Sequence, residues 1–150
     1  SPKDMFLGDS TFHRVLWDSD KEQLAKPEKI RRIVLCTGKV YYDLLEKRRE
    51  RGIKDVMIVR VEQLYPFPHN ALAEELKPYK NAEVVWCQEE PKNQGYWFFT
   101  DPLIEEVLGS LSMKSTRPRY IGRPAAAAPA TGLAKRHAEQ QARLVDEALA

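Results

Sequence analysis

The sequence is poor in the residues on which several classes of functional site depend. Its 150 residues include only two cysteines and three histidines. Sparse cysteine is typical of a reducing compartment, so we expect Cys36 and Cys87 to be free, buried thiols and not a disulfide. A metal site is not predicted, because metal-ligand spacing is absent among the histidines, which are His13, His69 and His137.

Long apolar runs and an excess of one charge are also missing. No stretch approaches the roughly 20 apolar residues of a membrane span, and the first residues lack the apolar core of a signal peptide. The net charge is only +2, and the densest basic run, residues 47–52, is interpreted as a solvated helix face. We therefore expect neither a membrane nor a nucleic acid as a partner.

What the sequence does contain is a regular alternation of strand and helix patterns in a chain of single-domain size. Predicted strands cover residues 12–17, 32–36, 56–64, 83–87 and 117–122. Predicted helices cover residues 39–51, 71–79, 96–111 and 133–150. This alternation predicts an α/β sandwich with a mostly parallel sheet.

Three single residues are expected to shape the helices. Gly52 is expected to end the first helix and Asn70 to cap the second. Pro102 is expected to break the helical stretch 96–111 near Thr100 and Asp101.

Unusual residues gather in the loops that follow the predicted strands, where ligands and partners of α/β sheets bind. These loops are TGK (37–39), QLYPFP (63–68), QEEPKNQG (88–95) and RPAAAAPATG (123–132). The TGK turn sits where an anion-binding turn would lie. One glycine and one lysine are far short of a phosphate loop, so a tight strand-to-helix turn is the favoured interpretation.

The segment 88–99 combines carboxylates, amides and rings. Side chains of neighbours on an extended chain point in opposite directions, which argues against Glu89 and Glu90 as a catalytic pair. Gly95 is expected to need a positive φ or a close backbone approach. The aromatic residues 96–99 cannot all face inward on one helix, which predicts a protein partner. From the residues alone, the chain is an α/β domain without a self-sufficient active site.

Four segments, LCTGKVYYDL, RVEQLYPFP, VVWCQEEPKNQGYW and YIGRPAAAAPATG, occur in this order. Together they resemble the C-terminal domain of the thiamine-dependent first component of 2-oxoglutarate dehydrogenase and, more distantly, the third domain of transketolases. The resemblance covers about residues 12–150, and residues 1–11 are expected to be a linker or the edge of the fragment. It implies a three-layer α/β/α sandwich with a five-stranded mixed sheet, order 1-3-2-4-5, whose first strand is antiparallel.

The resemblance also implies where the chemistry lies. In the family, two preceding domains hold thiamine diphosphate, magnesium and the catalytic histidines. The family's diphosphate motif, a GDG followed by an asparagine, is absent from this chain. No catalytic residue is therefore predicted, and no cofactor or metal is expected to bind this chain itself.

By resemblance, the parent enzyme of the tricarboxylic acid cycle decarboxylates 2-oxoglutarate. It passes the succinyl group to a lipoyl arm on the second component, a succinyltransferase. The implied location is the cytoplasm of a bacterium, or the mitochondrial matrix in a eukaryote.

The first functional hypothesis is a non-catalytic domain that packs against the preceding domains and the second subunit of a homodimer and frames the active site. A carboxylate would pair with a basic partner, amides would supply polar contacts and a tryptophan ring would anchor the contact. The expected contact residues are Glu89, Glu90, Asn93, Gln94, Tyr96 and Trp97.

Two other hypotheses belong to different classes. A regulatory domain would bind a nucleotide or an acyl-CoA through basic residues near the same edge, Lys39, Arg60 and Arg123. A stand-alone α/β enzyme is the third hypothesis, but the sequence supplies neither a nucleophile nor a cofactor site for it.

Overall fold

The computed structural model describes residues 15–125 and 134–150. The strands are β1 (Val15–Leu16), β2 (Arg32–Cys36), β3 (Val56–Val61), β4 (Glu83–Pro91) and β5 (Arg119–Arg123). The α-helices of this described part are α1 (Val40–Arg51), α2 (His69–Leu76), α3 (Trp97–Gly109) and α4 (Ala134–Leu149). Short 3-10 turns at Lys21–Gln23 and Pro27–Lys29 connect β1 to β2.

The five strands form one sheet in the order β1-β3-β2-β4-β5. β1 pairs antiparallel with β3, and the other neighbours pair parallel. This topology confirms the predicted fold class. Because helices cover both faces, the central strands are apolar at successive positions and do not alternate with polar residues.

Successive side chains of β2 point to opposite faces of the sheet, so they pack in two separate hydrophobic cores. Ile33 and Leu35 belong to the core under α2 and α3, whereas Val34 and Cys36 belong to the core under α1 and α4. The sheet is thus the middle layer of an α/β/α sandwich. In the described ranges, no helix combines the length and apolarity needed to cross a membrane.

Several predicted boundaries differ from the structure. β4 continues through Pro91 instead of ending at Cys87, because β5 stays paired with it across a register shift between Gln88 and Pro91. β3 ends at Val61. The predicted first strand is present at Val15–Leu16, and its residues 12–14 lie outside the described part.

Helix α1 ends as predicted. Gly52 adopts φ 64°, and its N–H donates to the carbonyls of Arg48 and Arg49, which is the usual left-handed helix end. The interpretation of residues 47–52 as a solvated face is wrong at one position. Arg48 is only 1% exposed, because its guanidinium binds Asp18 inside the fold.

Two helix predictions are wrong. Asn70 lies inside α2 and does not cap it, because the first carbonyl of the helical pattern is that of Pro68, which accepts the Leu72 N–H at 2.9 Å. α3 runs unbroken through Pro102. The hydrogen bond that this proline removes would have gone to the carbonyl of Phe98, and both residues lie on the exposed side, where water can replace it.

Two arginines at the amino end of the sheet donate hydrogen bonds to the carboxyl end of α4. Arg31 Nη1 donates to the carbonyl of Ala150 at 2.6 Å, and Arg32 Nη1 donates to the carbonyls of Glu147 and Ala148, each at 3.0 Å. These bonds satisfy carbonyls that the end of α4 would otherwise leave open, and they place positive charge at the negative end of the helix dipole. The opposite, carboxyl end of the sheet carries the loops of interest.

Candidate functional site

The loop that follows β4 is organised from within by Gln88, which is 2% exposed. Its Oε1 accepts hydrogen bonds from Trp86 Nε1 at 2.9 Å and from the backbone N–H of Trp97 at 3.1 Å. Its Nε2 donates to three carbonyls of the same loop, those of Glu90, Pro91 and Gln94. Both ends of the amide are engaged inside the fold, so Gln88 has a structural role.

Two glycines make room around Gln88. Gly95 adopts φ +71°, and a Cβ there would lie 3.2 Å from the Gln88 amide atoms. At Gly122 a Cβ would lie 2.7 Å from the carbonyl oxygen of Gln88 and 2.6 Å from the Tyr120 hydroxyl. The expectation that Gly95 needs a positive φ and a close approach is confirmed.

The adjacent carboxylates do not converge on one site. Glu89 accepts from Lys39 Nζ and from Gln141 Nε2, each at 3.2 Å. Glu90 is exposed, and its Cβ lies on the side of Gly95. One carboxylate therefore faces α1 and α4 while the other faces solvent, which is unsuitable for a two-carboxylate catalytic centre.

The predicted contact residues fall into two groups. Glu90, Asn93, Gln94 and Tyr96 are exposed and can meet a neighbour. Trp97 is 7% exposed and packs in the core, with its ring 5.4 Å from that of Tyr120. Gln88 fixes the start of α3 with this ring turned inward, and the expected role of Trp97 as the anchor of a contact stays a prediction.

Exposed rings lie in this segment, at the start of α3 and in the loop after β3. Tyr65 is 69% exposed and Phe98 is 63% exposed. Tyr65 stacks on Phe99 with ring centroids 4.6 Å apart. We call Tyr65, Tyr96, Phe98 and Phe99 the aromatic edge. Sequence reasoning missed Tyr65, although a ring within the rigid YPFP corner is a signal that could have identified it.

The three basic residues expected at an effector site are held apart by internal partners. Lys39 pairs with Glu89 at 3.2 Å. Arg123 donates to the backbone carbonyl of Glu89 and, at 2.8 Å, to Gln141 Oε1. Arg60 instead lies over the Tyr41 ring, 4.5 Å from its centroid. Lys39 and Arg123 thus approach one residue from two sides, and Arg60 belongs to another part of the surface.

Neither thiol has the properties of a nucleophile. Cys36 and Cys87 are free and buried, which confirms that expectation. Burial raises the pKa of Cys36 well above its ordinary value and that of Cys87 to about 12. Within residues 15–125 and 134–150, no group of three or more His, Cys, Asp or Glu side chains could hold a metal ion.

Comparison with known proteins agrees with this geometry. The model of one protein family, 2-oxoglutarate dehydrogenase C-terminal, matches residues 1–149. Proteins named 2-oxoglutarate dehydrogenase E1 component from Brucella anthropi, Brucella ovis and Brucella canis are each 57% identical over 95% of this chain. The match spans about 15% of the length of each of those relatives. The chain belongs to the 2-oxoglutarate dehydrogenase C-terminal family.

Proposed function

We propose that this chain is the C-terminal domain of the first component of a 2-oxoglutarate dehydrogenase, and that it serves contacts and not chemistry. It packs against the preceding domains and the second subunit of a homodimer, and it frames the approach to the active site. The observation that carries the proposal is the loop after β4. The buried side-chain amide of Gln88 makes its hydrogen bonds inside the fold. The aromatic edge lies on the outer side of this loop.

In this proposal the full-length enzyme decarboxylates 2-oxoglutarate and transfers the succinyl group to a lipoyl-bearing second component. The names of the relatives support this activity. The organisms of these relatives support a cytoplasmic location in a bacterium. Residues 12–150 form the domain proper, and residues 1–11 form the link to the preceding domain.

Thiamine diphosphate and magnesium are assigned to the preceding domains. The residues of this chain do not fit the diphosphate, because the one lysine of the TGK turn, Lys39, already pairs with the carboxylate of Glu89. A diphosphate placed there would meet that negative charge. No step of the reaction is therefore derived from this chain.

The outward residues of the loop supply the contact. Tyr96, Tyr65 and Phe98 offer rings that bury apolar area against a neighbour. Asn93 and Gln94 are exposed in the same loop and place polar side chains at this contact. Glu90 offers a carboxylate to a partner's basic side chain, whereas Glu89 and Trp97 support the loop from inside.

The test compares the 150-residue chain with the full-length enzyme. Each is supplied with 2-oxoglutarate, thiamine diphosphate, magnesium and ferricyanide as electron acceptor. We expect turnover by the full-length enzyme only, and titration calorimetry should detect no thiamine diphosphate binding by the chain alone. Turnover by the purified chain would overturn the proposal.

A further inference from the structure

The lysines of the described part differ in whether a carboxylate or a ring lies close to them. Four have such a neighbour: Lys21 lies 3.0 Å from Glu75, Lys39 lies 3.2 Å from Glu89, Lys47 lies 3.3 Å from Glu50, and Lys92 lies 5.4 Å from the centroid of the Tyr120 ring. Six others are exposed and take part in no ion pair within residues 15–125 and 134–150. These six are Lys26, Lys29, Lys54, Lys77, Lys80 and Lys114.

The six lysines without an ion pair lie at one end of the sheet. Each belongs to a segment that leads into a parallel strand: Lys26 and Lys29 precede β2, Lys54 precedes β3, Lys77 and Lys80 precede β4, and Lys114 precedes β5. Because these four strands are parallel, the segments that precede them meet at the amino end of the sheet. We call these six residues the lysine band. The aromatic edge lies at the opposite, carboxyl end.

Hydrogen bonds between the segments join the lysine band into one surface. Three such bonds are those of the Ala25 N–H to the Lys54 carbonyl at 2.8 Å, the Lys114 N–H to the Lys80 carbonyl at 2.8 Å, and Asn81 Nδ2 to the Glu28 carbonyl at 3.3 Å. They connect the segment before β3 to that before β2, this one to the segment before β4, and the last to the segment before β5. A partner therefore meets lysines whose backbone is already ordered.

The lysine band has an excess of positive charge because the carboxylates beside it are occupied. Asp55 pairs with Arg31 at 3.0 Å, and Glu83 pairs with Arg119 at 2.9 Å. Among residues 26–29, 54–55, 77–83 and 114–119, Glu28 is the one carboxylate without an ion pair in the described structure. Six unpaired lysines thus share this surface with one unpaired carboxylate, so its charge complements an acidic partner.

The chemistry of the lysine band favours the carboxylates of a polypeptide over other anions. A lysine ammonium is a compact charge with three donors, which suits separate carboxylates. The five large hydrophobic side chains that are exposed in the described ranges all lie outside the segments that carry the lysine band. These segments therefore offer no exposed ring on which a nucleic-acid base could stack, and no large apolar side chain that could insert into a membrane.

We propose that the lysine band binds an acidic segment of a separate protein, whose aspartate and glutamate side chains pair with these lysines. The contact is electrostatic, so it weakens as the salt concentration rises. Because the lysine band and the aromatic edge lie at opposite ends of the sheet, this partner can bind while the second subunit covers the aromatic edge. The inference goes beyond the proposed function, which does not use this surface.

Fluorescence anisotropy of a fluorescein-labelled polyglutamate peptide, titrated with the full-length enzyme at low salt, tests the proposal. We expect Lys80→Gln/Lys114→Gln to weaken binding by about fivefold, because two ion pairs are lost. Lys21→Gln/Lys47→Gln is the matched control, since it removes the same net charge from lysines that already have carboxylate partners. It should weaken binding by less than about twofold. Equal weakening by the two variants would overturn the inference.

Two other polyanions establish the class of the partner. An oligouridylate and vesicles that contain phosphatidylserine are titrated with the wild type and with Lys80→Gln/Lys114→Gln. We expect the substitutions to weaken binding of the polyglutamate peptide more than binding of either alternative. A larger effect on the oligonucleotide or on the vesicles would show that the lysine band does not select a polypeptide, and it would overturn the proposal.

Acetylation of lysines by a small acylating reagent locates the contact without any substitution. Bound peptide should slow the acetylation of Lys80 and Lys114 at least about threefold and leave the rate at Lys47 unchanged. Equal protection at Lys47 would contradict the proposal. Both double variants should retain turnover with ferricyanide, so failure of the proposed function and failure of this inference give different results.

Discussion

Gln88 and the ion pair of Arg48 and Asp18 are two buried polar centres of the described fold, and they differ in charge and in the sequence distance that they span. Gln88 is neutral and binds groups close to it in sequence. Arg48 reaches back across 30 residues to Asp18, donating through Nη2 at 2.7 Å. Asp18 also accepts the Ile58 N–H at 2.9 Å, and Arg48 donates to the carbonyl of Val56 at 3.1 Å. The neutral centre shapes one loop, whereas the charged centre ties the segment after β1 to α1 and β3.

The two centres support different parts of the fold. Gln88 fixes the start of α3, next to the aromatic edge, whereas the ion pair of Asp18 and Arg48 fixes the segment that follows β1. A buried ion pair contributes little net stability when intact, but breaking it is costly because one charge is left uncompensated. A buried neutral amide costs less to remove. Substitutions at the two centres should therefore differ in their cost to stability.

Breaking the ion pair should have the largest effect. Arg48→Leu leaves Asp18 buried without its partner, so we expect the free energy of unfolding to fall by about 3–5 kcal/mol. Urea unfolding of the 150-residue chain measures the loss. Arg49→Leu is the matched control, because Arg49 is exposed on the same helix, and its loss should be much smaller. Equal losses in the two variants would show that the buried pair has no special role.

Removing the neutral centre should have a smaller effect, confined to one loop. Gln88→Leu leaves the Trp86 indole N–H and the Trp97 N–H without their acceptor and removes one donor from three carbonyls, so we expect a loss of about 2–3 kcal/mol. Hydrogen exchange at the Trp97 amide, which now donates to Gln88 at 3.1 Å, should become faster. The exposed amide variant Gln94→Leu should change neither quantity. Unaltered exchange at Trp97 in Gln88→Leu would be evidence against the amide as organiser.

Crowding the same centre should be milder still. Gly95→Ala forces a side chain into φ +71° and brings Cβ within 3.2 Å of Gln88, so we expect a loss of about 1–2 kcal/mol. Gly109→Ala is the control, since Gly109 lies at the end of α3 with nothing within 4 Å of a Cβ. It should be neutral or slightly stabilising. A tolerated Gly95→Ala would disprove the tight approach.

The smallest expected effect concerns Asp20, which lies beside the buried ion pair of Asp18 and Arg48. The hydrogen bond from Arg49, reinforced by Arg48, lowers the pKa of Asp20 from its ordinary 3.8 to about 2. A lowered folded-state pKa contributes stability that is present above pH 3.8 and is lost as the pH falls toward 2. Chemical denaturation from pH 5 to pH 2 should show the wild type and Asp20→Asn converging toward the acid end. A constant difference across this range would exclude the contribution.

The sheet was predictable because β2 and β3 are buried on both faces and read as short apolar runs, and the resemblance supplied their order. The inward orientation of the Trp97 ring could not be predicted from the sequence. It depends on β4 continuing to Pro91 and on a hydrogen bond between the Gln88 side chain and the start of α3. The burial of Arg48 could not be predicted for a similar reason. Within a run of charges, sequence periodicity does not reveal that one guanidinium meets a carboxylate 30 residues away.

We expect the outer side of the loop after β4 to make contacts and to perform no chemistry. The direct test is sedimentation of full-length Tyr96→Ala/Phe98→Ala at falling protein concentration, with turnover measured at each step. We expect dissociation at concentrations where the wild type stays dimeric, with normal turnover per dimer once a higher concentration restores assembly. A dimer as tight as the wild type whose turnover has collapsed would contradict it.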